Sequence, residues 1–382
     1  MTELAADPMA LLRTRTSSKW RAYPADVLPL WVAEMDYPLA TPIATRLIDL
    51  VGRSDTGYDP RPRALGEAFA EFAEQAWGWR PDPARVLGAT DVSTAIVEVV
   101  RQVARGGRVV ITSPVYPPFL TTIAEAGAEV VDVPLLEPEP GRWSLDVDGI
   151  ERALADGAAA VLLCHPHNPG GHLHPREELA ALAAAAARHG AIVISDEVHA
   201  PLTHSDATFI PFLAVSDEAR DVGVCITAAS KAWNIAGLKA AWFVTAAGTA
   251  AAARLEGMPP AVQHRLSHFG VHASIAAMRE ARGWLADAVE AIEANRHRLR
   301  ALLGEHLPEA GMVEPHAGYL VWLDLRGLGW GDDPAARILR EAKVALNRGP
   351  TFGAGGAGHA RINIACAPAT LEEAVRRIAA LR

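Results

Sequence analysis

From residue 85 onward the apolar positions of this chain alternate between two periods. Val92 to Ala104 repeat apolar side chains at helical spacing, Arg108 to Thr112 form a short strand-like run, and a second run follows near Glu129 to Val133. The alternation continues with a helix near Asp146 to Leu154, the strand AAVLLC at 159–164, a helix around Arg176 to His189, the strand AIVIS at 191–195, and strands at 223–227 and 240–244. The Ala-rich stretch at 180–187 reads as helix rather than linker. Short strands that are apolar throughout belong to a sheet covered on both faces, so the pattern predicts an α/β fold with a mostly parallel central sheet. The last hundred residues differ: a long helix near 276–304, then YLVWLDL, a helix near 334–342, and RINIAC before a final helix. These predict a separate, smaller α+β domain.

Composition narrows the class of ligand. Half of the 382 residues are hydrophobic and the formal net charge is -9. That gives a substantial core but no broad basic surface, which argues against nucleic acid or an anionic membrane and for a small-molecule ligand. Cys164, Cys225 and Cys366 are widely separated in apolar runs, the pattern of buried free thiols in a reducing compartment rather than of a disulfide framework. The start, MTELAADPMALLRTR, has no apolar export region, and no run of about 18 apolar residues occurs. The expectation is a cytoplasmic protein.

In parallel α/β sheets the ligand lies beyond the carboxyl ends of the strands, so the residues just after each strand carry the chemistry. Here they are TSPVYPPF with Tyr116, HPHNPGG with Asn168, DEVHAPL with Asp196 and His199, and AASKAWNIAGLKAA with Lys231. A lysine amine, a carboxylate, an amide and an aromatic ring at successive strand ends are the set required by pyridoxal phosphate (PLP). In that chemistry Lys231 forms a Schiff base and Asp196 keeps the pyridine nitrogen protonated so that the ring can accept carbanion charge. Asn168 supplies a hydrogen bond to the phenolic oxygen, and Tyr116 an aromatic surface. The phosphate needs donors at a helix start, and GATDVSTAI offers Thr90, Asp91 and Val92 as a first turn, with Ser230 beside the lysine.

SPVYPPF, HNPGG, ISDEVH, SKAWNIAGLKAA and GHARINIAC, in that order, resemble the class I/II aminotransferase superfamily of fold-type I PLP proteins from about residue 10 to the C-terminus. KWRAYPADVLPLWVAEMDYP, GYDP, DEVH and YLVWLDLR resemble its cystathionine beta-lyase-like branch of C-S lyases. His199 stands where ordinary aminotransferases usually have a tyrosine. The resemblance implies a segment 1–40 associated with the small domain, a large PLP-binding domain 41–280 and a small domain 281–382. It also implies that Arg361 grips the substrate carboxylate and that Tyr58 completes the phosphate site of the neighbouring subunit in a homodimer. The implied reaction is α,β-elimination from cystathionine or a cysteine S-conjugate, with transamination of a small amino acid as the alternative. Two positions depart from the pattern. Lys239 occupies the usual phosphate-binding arginine position and Ala228 a frequent serine position; a lysine supplies charge without a bidentate fork. HNPGG also lacks the threonine common before the final glycine.

The stretch CHPHNPGGHLH at 164–174 places four histidines in eleven residues. His165 with His167, and His172 with His174, alternate as zinc ligands can, but no ligand-rich partner segment accompanies them. The expectation is no catalytic metal, with incidental surface binding at most. GAGGAG at 353–358 fits a dinucleotide-binding spacing but precedes a strand rather than a helix, so no NAD site is expected.

Overall fold

The computed structural model describes residues 4–58 and 63–382. Seven strands build the central sheet: β1 (Val86–Ala89), β2 (Arg108–Ile111), β3 (Glu129–Asp132), β4 (Ala158–Cys164), β5 (Ile192–Asp196), β6 (Gly223–Thr227) and β7 (Ala241–Val244). Their spatial order is β1-β7-β6-β5-β4-β2-β3, parallel from β6 to β3, with β7 running antiparallel to both β6 and β1. The continuous apolar runs follow from burial on both faces. Ala160, Leu162 and Cys164 of β4 enter one core, and Val161 and Leu163 the other.

Register puts the strand ends in line. Cys164 lies opposite Asp196, and Asp196 opposite Ile226, so the loops that follow β4, β5 and β6 emerge side by side. Ala241 pairs with Ala89, so Lys239, just before β7, and Asp91, just after β1, reach the same edge.

The C-terminal region forms a four-stranded antiparallel sheet in the order β8 (Gly311–Met312), β9 (Leu320–Asp324), β11 (His359–Asn363), β10 (Asn347–Arg348). The single helix expected over 276–304 is two helices, His268–Glu280 and Arg282–His306. At the break the Ala281 N–H is shared between the carbonyls of Ala276 and Ala277, and the Ala281 carbonyl accepts the indole N–H of Trp233 at 3.0 Å. The N-terminal region joins the far end of the chain through Leu28–Pro29, which pairs in parallel with Val344–Ala345.

Between that pairing and the first long helix, Trp31 to Asp36 cross the carboxyl end of the sheet without regular structure, and side chains hold them there. Lys19 Nζ contacts Asp36 Oδ1 at 2.6 Å and the Glu34 carbonyl at 2.9 Å, with both partners of the ion pair buried. Asn234, in the left-handed region at φ 57 that asparagine tolerates, bonds both the N–H and the carbonyl of Met35. Asn363 Nδ2 donates to the carbonyls of Val32 and Glu34. Among the described residues no helix is long and apolar enough to cross a membrane.

Candidate active site

The loops at the strand ends and the Trp31–Asp36 strap enclose a cleft. Asp196, the last residue of β5, lines it together with Tyr116, Asn168, His199, Ser230, Lys231 and Lys239. The Asp196 carboxylate is buried and accepts one protein hydrogen bond, from Val198 N at 3.2 Å, so it keeps acceptor capacity inside the cleft. Burial pushes this carboxyl up to about 7, against the Val198 hydrogen bond and the attraction of Lys231.

Lys231 follows β6, and its Nζ donates to the Ala33 carbonyl of the strap at 3.3 Å. Burial and the nearby Arg361 guanidinium bring its amine down to about 8, while Asp196 pulls the other way. The shift is toward the uncharged form that a nucleophilic amine requires. Arg361, in the middle of β11, is buried; its Nη1 donates to Asn168 Oδ1 at 2.8 Å and its Nη2 to the Trp31 carbonyl at 3.2 Å. Its Nε has no partner, and burial lowers its pKa to about 10. Neutral acceptors thus hold a cation in place without neutralising it.

His199 is buried edge-on to Tyr319, and burial with the Lys231 and Arg361 charges drives it down to about 3, a neutral imidazole. Tyr116 is packed edge-on to Phe119, and burial raises its phenol.

The helix with an expected first turn over Thr90 to Val92 begins at Val92, so Thr90 and Asp91 precede it. The Thr90 hydroxyl donates to the Arg265 carbonyl at 3.3 Å. Asp91 is the N-cap, accepting from Thr94 N, and it also pairs with Lys239 Nζ at 2.8 Å. Val92 and Ser93 line the cleft. Tyr58 is 98% exposed and outside the cleft of its own chain, and residues 59–60 of GYDP lie outside the described residues.

Sequence reasoning missed Ser93, Cys164 and the strap carbonyls of Trp31 and Ala33. Ser93 carried a signal, a hydroxyl in the first turn of a helix that follows a strand. The backbone carbonyls carried none.

The histidines of CHPHNPGGHLH are not at the surface. His165, His167, His172 and His174 are all buried. The rings of His167 and His172 lie 4.6 Å apart and those of His172 and His174 4.7 Å apart, with Trp143 edge-on to the first two. Burial holds His167 and His172 well below the usual histidine range. A Cβ at Gly170 would lie 2.6 Å from the Trp143 ring, which explains the absence of threonine there. Among the described residues, the metal-type grouping is His204, Asp206 and Glu293. Both ring nitrogens of His204 already meet carbonyls, and Arg296 pairs with Asp206 at 2.9 Å, so a cation is already in place.

The donor set fits PLP: an enclosed amine, a buried carboxylate with spare capacity, an aromatic ring and a helix start with hydroxyls nearby. Comparison with known proteins points the same way. The family model for aminotransferase class I and II matches residues 25–378. A candidate cystathionine beta-lyase of Mycobacterium tuberculosis is 43% identical, covering 95% of this chain and 94% of its own. The cystathionine beta-lyase of Corynebacterium glutamicum is 34% identical over 97% of this chain and 98% of its own. The solved structure of a candidate PLP-dependent beta-cystathionase from Corynebacterium diphtheriae superposes with a TM-score of 0.92 at 32% identity, covering 99% of this chain and 98% of that one.

Proposed function

The chain belongs to the class I and II aminotransferase family, and from that premise we propose that it is a PLP-dependent C-S β-lyase. It cleaves cystathionine or a cysteine S-conjugate to a thiol, pyruvate and ammonia, consuming water as the eliminated product hydrolyses. The observation that carries the reading is one cleft lined by Lys231, Asp196 and Asn168 beyond neighbouring strand ends, with the Arg361 guanidinium of β11 bonded to Asn168 Oδ1. His199 and the strap WVAEMDYP favour elimination over transamination, as do the relatives named as cystathionine beta-lyases.

Bound PLP supplies a ring that delocalises the electron pair left at Cα when its proton is removed. The protein does the rest. Lys231 holds the cofactor, then as a free amine takes the Cα proton. Asp196 supports a protonated ring nitrogen, a role its own burial makes more favourable because the pair removes an isolated buried charge. Asn168 and Tyr116 fix the ring, and neutral His199 packs beside it without adding charge. Arg361 exchanges neutral acceptors for the substrate carboxylate and so orients the bond to be broken. Val92, Ser230 and Lys239 hold the phosphate, with Thr90 and Asp91 shaping the turn. The thiolate then leaves from Cβ.

The chain divides, on this reading, into a segment 1–40 that sides with a small domain 281–382, and a large domain 41–280. The pairing of Leu28–Pro29 with Val344–Ala345 supports it. Its working form is a cytoplasmic homodimer in which exposed Tyr58 completes the partner's phosphate site; buried free cysteines and the exposed Ile48 and Val51 near Tyr58 in sequence support that. Heterodimers of Tyr58→Phe and Lys231→Ala chains should regain one sound site, and no recovery in a verified heterodimer contradicts sharing.

The reaction is tested by supplying cystathionine without any keto acid. Pyruvate and thiol should form over many turnovers. Stalling after a single turnover, with turnover restored only by an added keto acid, would move the assignment to aminotransferase.

A further inference from the structure

Lys239 is the cleft cation that stands where the resemblance expects an arginine, and it already has a counter-ion. Its Nζ donates to Asp91 Oδ2 at 2.8 Å, while the other oxygen of that carboxylate accepts from Thr94 N at 2.8 Å as the cap of the helix Val92–Val103. Both residues line the cleft with Val92, Ser93 and Ser230. The backbone of Lys239 is held at φ 58, ψ 62, a left-handed shape uncommon for a residue with a Cβ, so its position at this edge is set by the turn into β7. A helix start attracts anions through its unpaired N–H groups and positive dipole end. Here a carboxylate has taken that place first. The charges of Asp91 and Lys239 cancel, so a phosphate dianion meets no net positive charge from the pair and must share the lysine with the carboxylate beside it.

We propose that Asp91 is an affinity-setting residue for the cofactor: it competes with the phosphate for Lys239 and keeps PLP exchangeable. The inference rests on the PLP reading above. Asp91 touches no reacting atom; it acts through Lys239. Both side chains are partly exposed, 31% for Asp91 and 56% for Lys239, so the competition is sensitive to salt.

The test measures release of PLP from the loaded protein by its absorbance during exhaustive ultrafiltration, at low salt and at about 1 M salt, where screening is nearly complete. Asp91→Asn keeps an N-cap of equal quality and removes the charge. It should retain PLP about fivefold more tightly than wild type at low salt, with the difference shrinking at high salt. Lys239→Arg, whose fork can serve carboxylate and phosphate together, should also tighten retention, and Lys239→Met should loosen it. The salt dependence separates this role from simple support of the helix start, which added salt would leave in place. Retention by Asp91→Asn that equals or falls below wild type, or a Lys239→Arg protein that holds PLP no better, would overturn the inference while leaving the PLP reading intact. A wild-type protein that takes up no PLP would overturn both.

Discussion

Arg361, bonded to Asn168 of the cleft wall, and Lys239, which lines the cleft, are kept in opposite conditions. Arg361 is buried, aimed by the neutral acceptors Asn168 and Trp31, and carries an uncompensated charge. Lys239 is half-exposed and paired with Asp91. The difference teaches how a site separates precision from exchange. A buried guanidinium whose hydrogen bonds go to neutral groups loses little when a carboxylate replaces them, and it fixes that carboxylate in a plane. An exposed lysine with its own counter-ion holds an anion loosely.

The largest effect is expected from the support of the Arg361 side. The strap that presents the Trp31 carbonyl is pinned by the buried Lys19–Asp36 pair. Lys19→Met leaves an unpaired buried carboxylate and should cost about 3–5 kcal/mol of unfolding free energy in urea titration. Adding Asp36→Leu should recover much of that loss. A cost well under about 1 kcal/mol for Lys19→Met would place the strap's support elsewhere.

Next comes Arg361 itself. Arg361→Ala should raise KM and lower kcat together, a combined loss of roughly 3 kcal/mol or more in transition-state stabilisation. With a substrate amide in place of the carboxylate the loss should be much smaller. Equal losses on both substrates would show that Arg361 supports the fold and not the carboxylate.

Asp196 lines the same cleft as Lys239, and its effect is smaller and depends on pH. Its carboxyl is raised from 3.8 to about 7 in the folded protein, so the folded state binds the proton more tightly than the unfolded chain. That contribution is complete below 3.8 and is lost as pH rises through about 7. In the cofactor-free protein, thermal unfolding should therefore show wild type losing stability relative to Asp196→Asn across this window. A difference that stays flat would mean that Asp196 is charged throughout.

The legible part of the site and the illegible part differ in kind. Asp196, Asn168 and Lys231 could be read because each sits at the end of an apolar strand or just after one, and the sheet's register then brings the strand ends together. The carbonyls of Trp31 and Ala33 could not, because a backbone acceptor leaves no mark on residue identity. The Asp91–Lys239 pair joins residues 148 positions apart, and neither residue's local pattern points to the other. The histidines of CHPHNPGGHLH suggest a polar loop by composition, yet all four are buried, His167 and His172 edge-on to Trp143 and His165 against Phe209, since an imidazole ring packs as an aromatic once buried. The break at Ala281 was hidden because helical spacing continues through it, and the carbonyl contact from Trp233 is visible only in three dimensions.

The central claim is that Lys231 is the residue that carries the cofactor in this cleft. Borohydride reduction of the PLP-loaded protein, followed by proteolysis and peptide mapping, tests it directly. The account predicts one labelled peptide, containing Lys231, and no label in Lys231→Ala. Label on a different lysine, Lys239 included, or label that survives Lys231→Ala, would contradict it.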